Sequence, residues 1–293
     1  AMGLTPLISA EWNWRVQLLI PAILSLIATA LAWRYFPESP RWLESRGRYQ
    51  EAEKVMRSIE EGVIRQTGKP LPPVVIADDG KAPQAVPYSA LLTGVLLKRV
   101  ILGSCVLIAM NVVQYTLINW LPTIFMTQGI NLKDSIVLNT MSMFGAPFGI
   151  FIAMLVMDKI PRKTMGVGLL ILIAVLGYIY SLQTSMLLIT LIGFFLITFV
   201  YMYVCYASAV YVPEIWPTEA KLRGSGLANA VGRISGIAAP YAVAVLLSSY
   251  GVTGVFILLG AVSIIVAIAI ATIGIETKGV SVESLSIDAV ANK

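Results

Sequence analysis

The sequence predicts an all-α membrane protein with seven spans. Three observations predict it. Of 293 residues, 57% are hydrophobic and only 13% charged, with a mean hydropathy of +0.81. Soluble domains carry about 25% charged residues. Apolar runs recur along the chain, each near the roughly 20 residues that cross a hydrocarbon core of about 30 Å. Positive charge collects in every second loop between them.

The first predicted span is Trp14–Phe36. Trp12, Trp14 and Arg15 mark one membrane interface, and Trp33, Arg34 and Tyr35 the other. A polar segment follows, residues 37–98. Ser39 can cap a helix with Pro40 at its first position. Ala52, Val55, Met56, Ile59 and Val63 recur at helical spacing, which makes an amphipathic surface helix. Lys69–Pro87 is rich in Pro, Asp and Gly and reads as a linker. Six more spans are predicted: Val100–Phe125, Ser135–Met157, Thr164–Tyr180, Met186–Val210, Gly224–Ser248 and Val255–Ile275. The chain thus divides into an outer loop and first span (1–36), a connecting segment (37–98), a six-helix bundle (99–275) and a tail (276–293).

Lys159, Arg162 and Lys163 lie between the third and fourth spans, and Lys221 and Arg223 between the fifth and sixth. The SLQTS and SSYGVTG turns carry no charge, and the turn after the second span has only Lys133. The positive-inside rule therefore places the 37–98 segment, those two basic turns and the C-terminus in the cytoplasm.

Composition narrows the chemistry. There is no histidine, and no GxSxG, CxxC, zinc-binding or P-loop pattern occurs, so no catalytic residues, metal or cofactor are expected. The glycines of GSGLANAVGRISG follow no strand, which weakens a nucleotide reading. The basic residues form no groove-sized cluster for nucleic acid. Cys105 and Cys205 both fall inside apolar runs and read as small buried hydrophobes.

Two features point to function. Asp158 closes one predicted span and Arg162 and Lys163 open the next, each against the local helix dipole. Charges so placed answer to something else. The expectation is a gating network of Asp158, Arg162, Lys163, Glu214, Glu219 and Arg223, with Asp158 near the start of the sixth span and Arg162 paired to Glu214 or Glu219. Inside the spans, Asn111, Gln114, Tyr115 and Asn119 share one arc of the second predicted helix. Asn139 and Ser142 precede a GAPFG stretch at Gly145–Gly149, where small residues and Pro147 allow a bend and close helix approach. Tyr201, Tyr203, Tyr206 and Tyr211 point in several directions, so some belong to an interface belt. Arg233 lies nine residues past Gly224, roughly 14 Å along the axis. An intramembrane arginine is a functional-site candidate, and its fork suits a carboxylate or phosphate. Asn229 shares its face, and Gly236 and Pro240 beyond it make a flexible helix. The candidate substrate residues are Asn111, Gln114, Tyr115, Asn119, Asn139, Asn229 and Arg233.

PESPRWL (Pro37–Leu43), DKIPRK (Asp158–Lys163), PEIWPTEAKLRG (Pro213–Gly224) and ETKG (Glu276–Gly279) together resemble the sugar-porter branch of the major facilitator superfamily, with a look to uncharacterised enterobacterial inner-membrane metabolite transport proteins. Pro161 stands where the family turn usually has glycine, and Ile275 replaces a proline. Asn111, Gln114 and Asn119 replace the usual glutamine pair and asparagine. The similar endings at Phe36–Arg41 and Ile275–Gly279 fit two repeated halves. The resemblance implies helices six to twelve of a twelve-helix symporter, moving a small metabolite with protons across the bacterial inner membrane by alternating access. The first six-helix half would be a partner, as would the lipid bilayer. Arg233 favours a small organic anion, with a sugar or polyol as the alternative. Different classes of reading are a non-transporting receptor or sensor and a truncated, inactive remnant.

Overall fold

The computed structural model describes residues 14–71, 87–127, 129–183, 185–217 and 220–279, and side chains from 18 onward except 41, 42 and 45. They contain helices and turns and no strand. The chain separates into two compact units, residues 3–82 and 83–293.

The first unit begins with α1 (Trp14–Tyr35), an apolar helix whose described side chains bury nothing within the unit. The polar segment then forms two helices rather than one: α2 (Pro40–Ser45) starts at the expected proline, and α3 (Tyr49–Thr67) follows a break at Gly47. The φ of Gly47 is +73°, a left-handed conformation that glycine adopts without a Cβ penalty. Leu43 is buried in the resulting turn, whereas Met56, Ile59 and Val63 on α3 remain exposed. Arg48 grips Glu51 through two bonds of 2.8 and 2.6 Å on the first turn of α3. Most of the Lys69–Pro87 linker lies outside the described residues.

The second unit is the helical bundle. A short turn, α4 (Tyr88–Leu91), leads into α5 (Gly94–Thr127). That helix starts six residues before the predicted span, because Lys98 and Arg99 interrupt hydropathy but not helical hydrogen bonding. The third predicted span is two helices, α6 (Leu132–Met143) and α7 (Gly145–Val156), meeting at Phe144. Gly145 and Gly149 lie hard against α9 (Met186–Val204). A Cβ on Gly149 would overlap the Thr198 carbonyl, and one on Gly145 would sit 2.8 Å from Thr198 Oγ1. This is small-residue packing, which lets helix backbones meet where no hydrophobic effect drives them together.

α8 (Arg162–Ser181) packs against α9. Beyond α9 the helix widens into a π turn over Cys205–Tyr211, then resumes as α10 (Val212–Glu214). In an α-helix, residues five apart differ by about 140°. The i→i+5 bonding of a π turn brings them nearly into line. Tyr206 and Tyr211 accordingly stack, with centroids 5.0 Å apart and planes at 15°. Tyr203, Tyr206 and Tyr211 are all buried, so they form a core stack and not an interface belt. Tyr203 donates to the Val106 carbonyl of α5 at 3.2 Å.

The last two predicted spans are one helical run, α11 (Lys221–Ile273), broken at Gly251. Fifty-three residues would extend about 80 Å, more than twice the hydrocarbon thickness. Gly251, at φ 65° and ψ −161°, folds the run back on itself. The described helices thus include six apolar runs of span length, with the two arms of α11 counted as one. At the Gly251 end, Tyr180 is flanked by Phe125 and Phe256 at 6.4 and 5.4 Å.

Candidate functional site

The opposite end of the bundle holds a cluster of charges. Arg162, at the first turn of α8, is almost enclosed: its side chain is 7% exposed. Its guanidinium forks onto Glu214, Nε to Oε2 and Nη2 to Oε1, both at 3.1 Å. Nη1 donates to the Met157 carbonyl, and Nη2 also reaches Asp158 Oδ1 at 3.3 Å. Glu214 further accepts a bond of 2.5 Å from Thr277 Oγ1.

A residue outside the predicted network completes it. Glu276 accepts from the backbone N–H groups of Arg162 (2.7 Å), Lys163 (3.2 Å) and Lys278 (3.1 Å). The first two belong to the start of α8, whose N–H groups lack intrahelical partners and carry the positive end of the dipole. The adverse dipole of Arg162 and Lys163 is thereby answered by a carboxylate that the chain brings from the far end of α11. Burial pushes the Glu276 carboxyl up, but the three N–H donors and Arg162 outweigh it and hold it below the usual carboxylate range. Two further ties fix this segment. The Tyr211 hydroxyl donates to the Ile275 carbonyl (3.1 Å) and accepts from its N–H (3.0 Å). Lys278 Nζ donates to the Lys159 carbonyl at 2.6 Å.

The other expected members stand differently. Asp158 contacts Arg162 rather than the start of α11, and its side chain is 89% exposed. Lys163 enters through its backbone N–H alone among the described bonds. The Arg223 guanidinium lies 5.2 Å over the Tyr88 ring. Glu219 lies outside the described residues.

The second constellation is mid-span, where α11 crosses α5. Arg233 Nη1 donates to the Tyr115 hydroxyl. Arg233 is on an exposed face of the bundle, and Tyr115 is half-buried. Asn111, one turn from Tyr115, is buried, and its Nδ2 is committed to the Leu107 carbonyl at 2.7 Å. Gln114 is half-buried and Asn119 exposed, so the polar arc of α5 runs from the core toward the open face. Asn229 is exposed and donates to the Ser225 carbonyl at 2.9 Å. Asn139 sits apart on α6, buried, its Oδ1 without a hydrogen-bond partner. Tyr115 and Arg233 are thus the predicted pair that meets directly. Among the described residues, no group of His, Cys, Asp or Glu could hold a metal ion.

An all-α bundle with broken helices, a polar mid-span face and a charged end is a membrane protein of the major-facilitator fold. The chain belongs to the sugar (and other) transporter family, whose model matches residues 2–289. It is 45% identical over 279 residues to the inner membrane metabolite transport protein YdjE of Escherichia coli, covering 94% of this chain and 62% of that one. It is 26% identical over 278 residues to the niacin transporter NiaP of Acinetobacter baylyi, with the same coverage of 94% and 62%. A crystal structure of a double-tryptophan mutant of XylE superposes with a TM-score of 0.66 at 17% identity, over 97% of this chain and 62% of that one. At that identity the likeness shows the fold alone. The chain spans about three fifths of the length of these relatives.

Proposed function

We propose that this chain is the substrate-handling part of a secondary transporter that moves a small carboxylate-bearing metabolite by alternating access, coupled to protons. The carrying observation is Arg233, a guanidinium in the middle of a span, bonded to a phenol on the facing helix. An intramembrane charge is costly and marks substrate paths, and a guanidinium fork matches a carboxylate. YdjE is described as a metabolite transport protein, NiaP as a niacin transporter and XylE as a proton:xylose symporter, which supports the class. In this reading residues 1–36 end the first half of an intact transporter, 37–98 link the halves, and 99–275 form the second half. The protein lies in a bacterial inner membrane. The basic turns and residues 276–293 face the cytoplasm, as the loop charges direct. The Arg162–Glu214–Glu276 cluster closes that side in one state and parts in the other.

Gln114 and Asn119, neutral donors at the two edges of the polar arc of α5, favour a second reading in which the substrate is a sugar or polyol. Uptake decides between the two. Arg233→Ala in the intact transporter is expected to abolish carboxylate uptake while membrane insertion stays normal. Unchanged uptake kinetics would remove Arg233 from the substrate path.

A further inference from the structure

We propose that Gly236 sets the anion preference of the Arg233 site, by leaving room for the Tyr115 ring so that guanidinium and phenol stand as one preset pair of donors. The inference rests on the reading of Arg233 as a substrate contact.

Gly236 lies three residues beyond Arg233 on α11, and so on the neighbouring part of the same helix face. A Cβ at Gly236 would stand 3.0 Å from Tyr115 Cδ2 and 3.1 Å from Cε2. Carbon atoms normally rest about 3.5–4.0 Å apart. The bare glycine therefore lets the ring lie against the helix backbone, with its hydroxyl at Arg233. Gly232 brings the helices this close: a Cβ there would be 2.8 Å from Leu107 Cβ and 3.0 Å from Asn111 Nδ2. Gly236 is thus a packing seat for Tyr115.

The geometry has a chemical consequence. Tyr115 accepts from Arg233, and its own hydroxyl hydrogen is left to donate. Accepting from a cation polarises that O–H and strengthens it as a donor. An arginine tethered in this way has less rotamer freedom to lose when an anion arrives, which raises affinity through preorganisation. A neutral ligand of the same shape gains much less from either effect. Asn111 is no substitute, because its amide is already bonded to Leu107. Gly236 acts on the substrate only through Tyr115, and is a positioning residue.

The test measures binding to the purified intact transporter by thermal shift, with acids paired to their own amides: benzoate and benzamide, nicotinate and nicotinamide, butyrate and butyramide, gluconate and gluconamide. At least one acid is expected to bind in preference to its amide. Gly236→Ala and Tyr115→Phe should each weaken that acid about tenfold and its amide much less. The double variant should be no worse than either, because both act through one contact. Equal losses for acid and amide, multiplying effects in the double variant, or no effect while Arg233→Gln abolishes the preference would each overturn the role of Gly236. A parent protein that prefers no acid, or an Arg233→Gln variant that keeps the preference, would instead sink the reading of Arg233 beneath it.

Discussion

Replacing Glu276 probes the charged end most sharply, because its carboxylate is held by three backbone N–H groups. Glu276→Gln keeps one acceptor oxygen and loses the charge. The lost interaction with the start of α8 is worth about 1 kcal/mol for a partly exposed anion at a helix N-terminus. Glu276→Ala also removes the acceptor for bonds of 2.7, 3.1 and 3.2 Å. Water can replace part of that loss, so the total is about 2 kcal/mol. If the cluster closes this end of the bundle, those energies shift the closed-to-open ratio about fivefold and about thirtyfold. The assay is maleimide labelling of Ala220→Cys, a position fully buried at this end, after Cys105 and Cys205 are replaced by alanine. Labelling should accelerate by those factors in that order. Equal rates in parent, Gln and Ala variants would refute the closure.

Four further outcomes follow from the structure. Glu214→Gln removes the charge and one of the two acceptors that face a nearly enclosed Arg162 and should speed labelling about thirtyfold, for about 2 kcal/mol. Asp158→Asn alters a pair whose carboxylate is exposed, worth about 1 kcal/mol at most, and should change the rate about fivefold or less, in the same assay. Because the Glu276 carboxyl titrates below its ordinary value of about 4.3, its contribution is complete at neutral pH and is lost only as pH falls through the lowered value. Because maleimide reacts with the thiolate, the rate is divided by that of a free, exposed thiol at the same pH; this ratio should stay flat from pH 8 to 5 and rise in stronger acid, and a rise centred between pH 6 and 7 would contradict that. Gly149→Val drives a side chain into the Thr198 carbonyl, so little monodisperse protein should survive size-exclusion chromatography, whereas Gly168→Ala, in open space, should behave as the parent.

The spans could be read from the sequence because length and hydropathy suffice to define a helix in lipid, where every backbone group must bond internally. That Arg162 pairs with Glu214 or Glu219 was legible too, since charges set against the local dipole require partners, and the structure shows the Glu214 bond. What escaped has a common cause: it depends on contacts remote in sequence. Glu276 lies 114 residues from the Arg162 N–H it caps, and its motif alone names no partner. Asn111 resembles a substrate ligand on a helical wheel, but its amide turns back to Leu107. The π turn at Cys205–Tyr211 leaves no mark on hydropathy, yet it converts scattered tyrosines into a stack. The seat that Gly236 makes for Tyr115 is likewise hidden, because the ring comes from another helix.

In the proposed mechanism Arg233 binds a carboxylate on a proton-coupled transport path. Its most direct test is uptake into proteoliposomes of the intact transporter with an acidic exterior, using the acid that its amide fails to displace. Accumulation that collapses with the proton gradient and disappears in Arg233→Gln is expected. Undiminished uptake by Arg233→Gln, or uptake of neutral sugars alone, would contradict it.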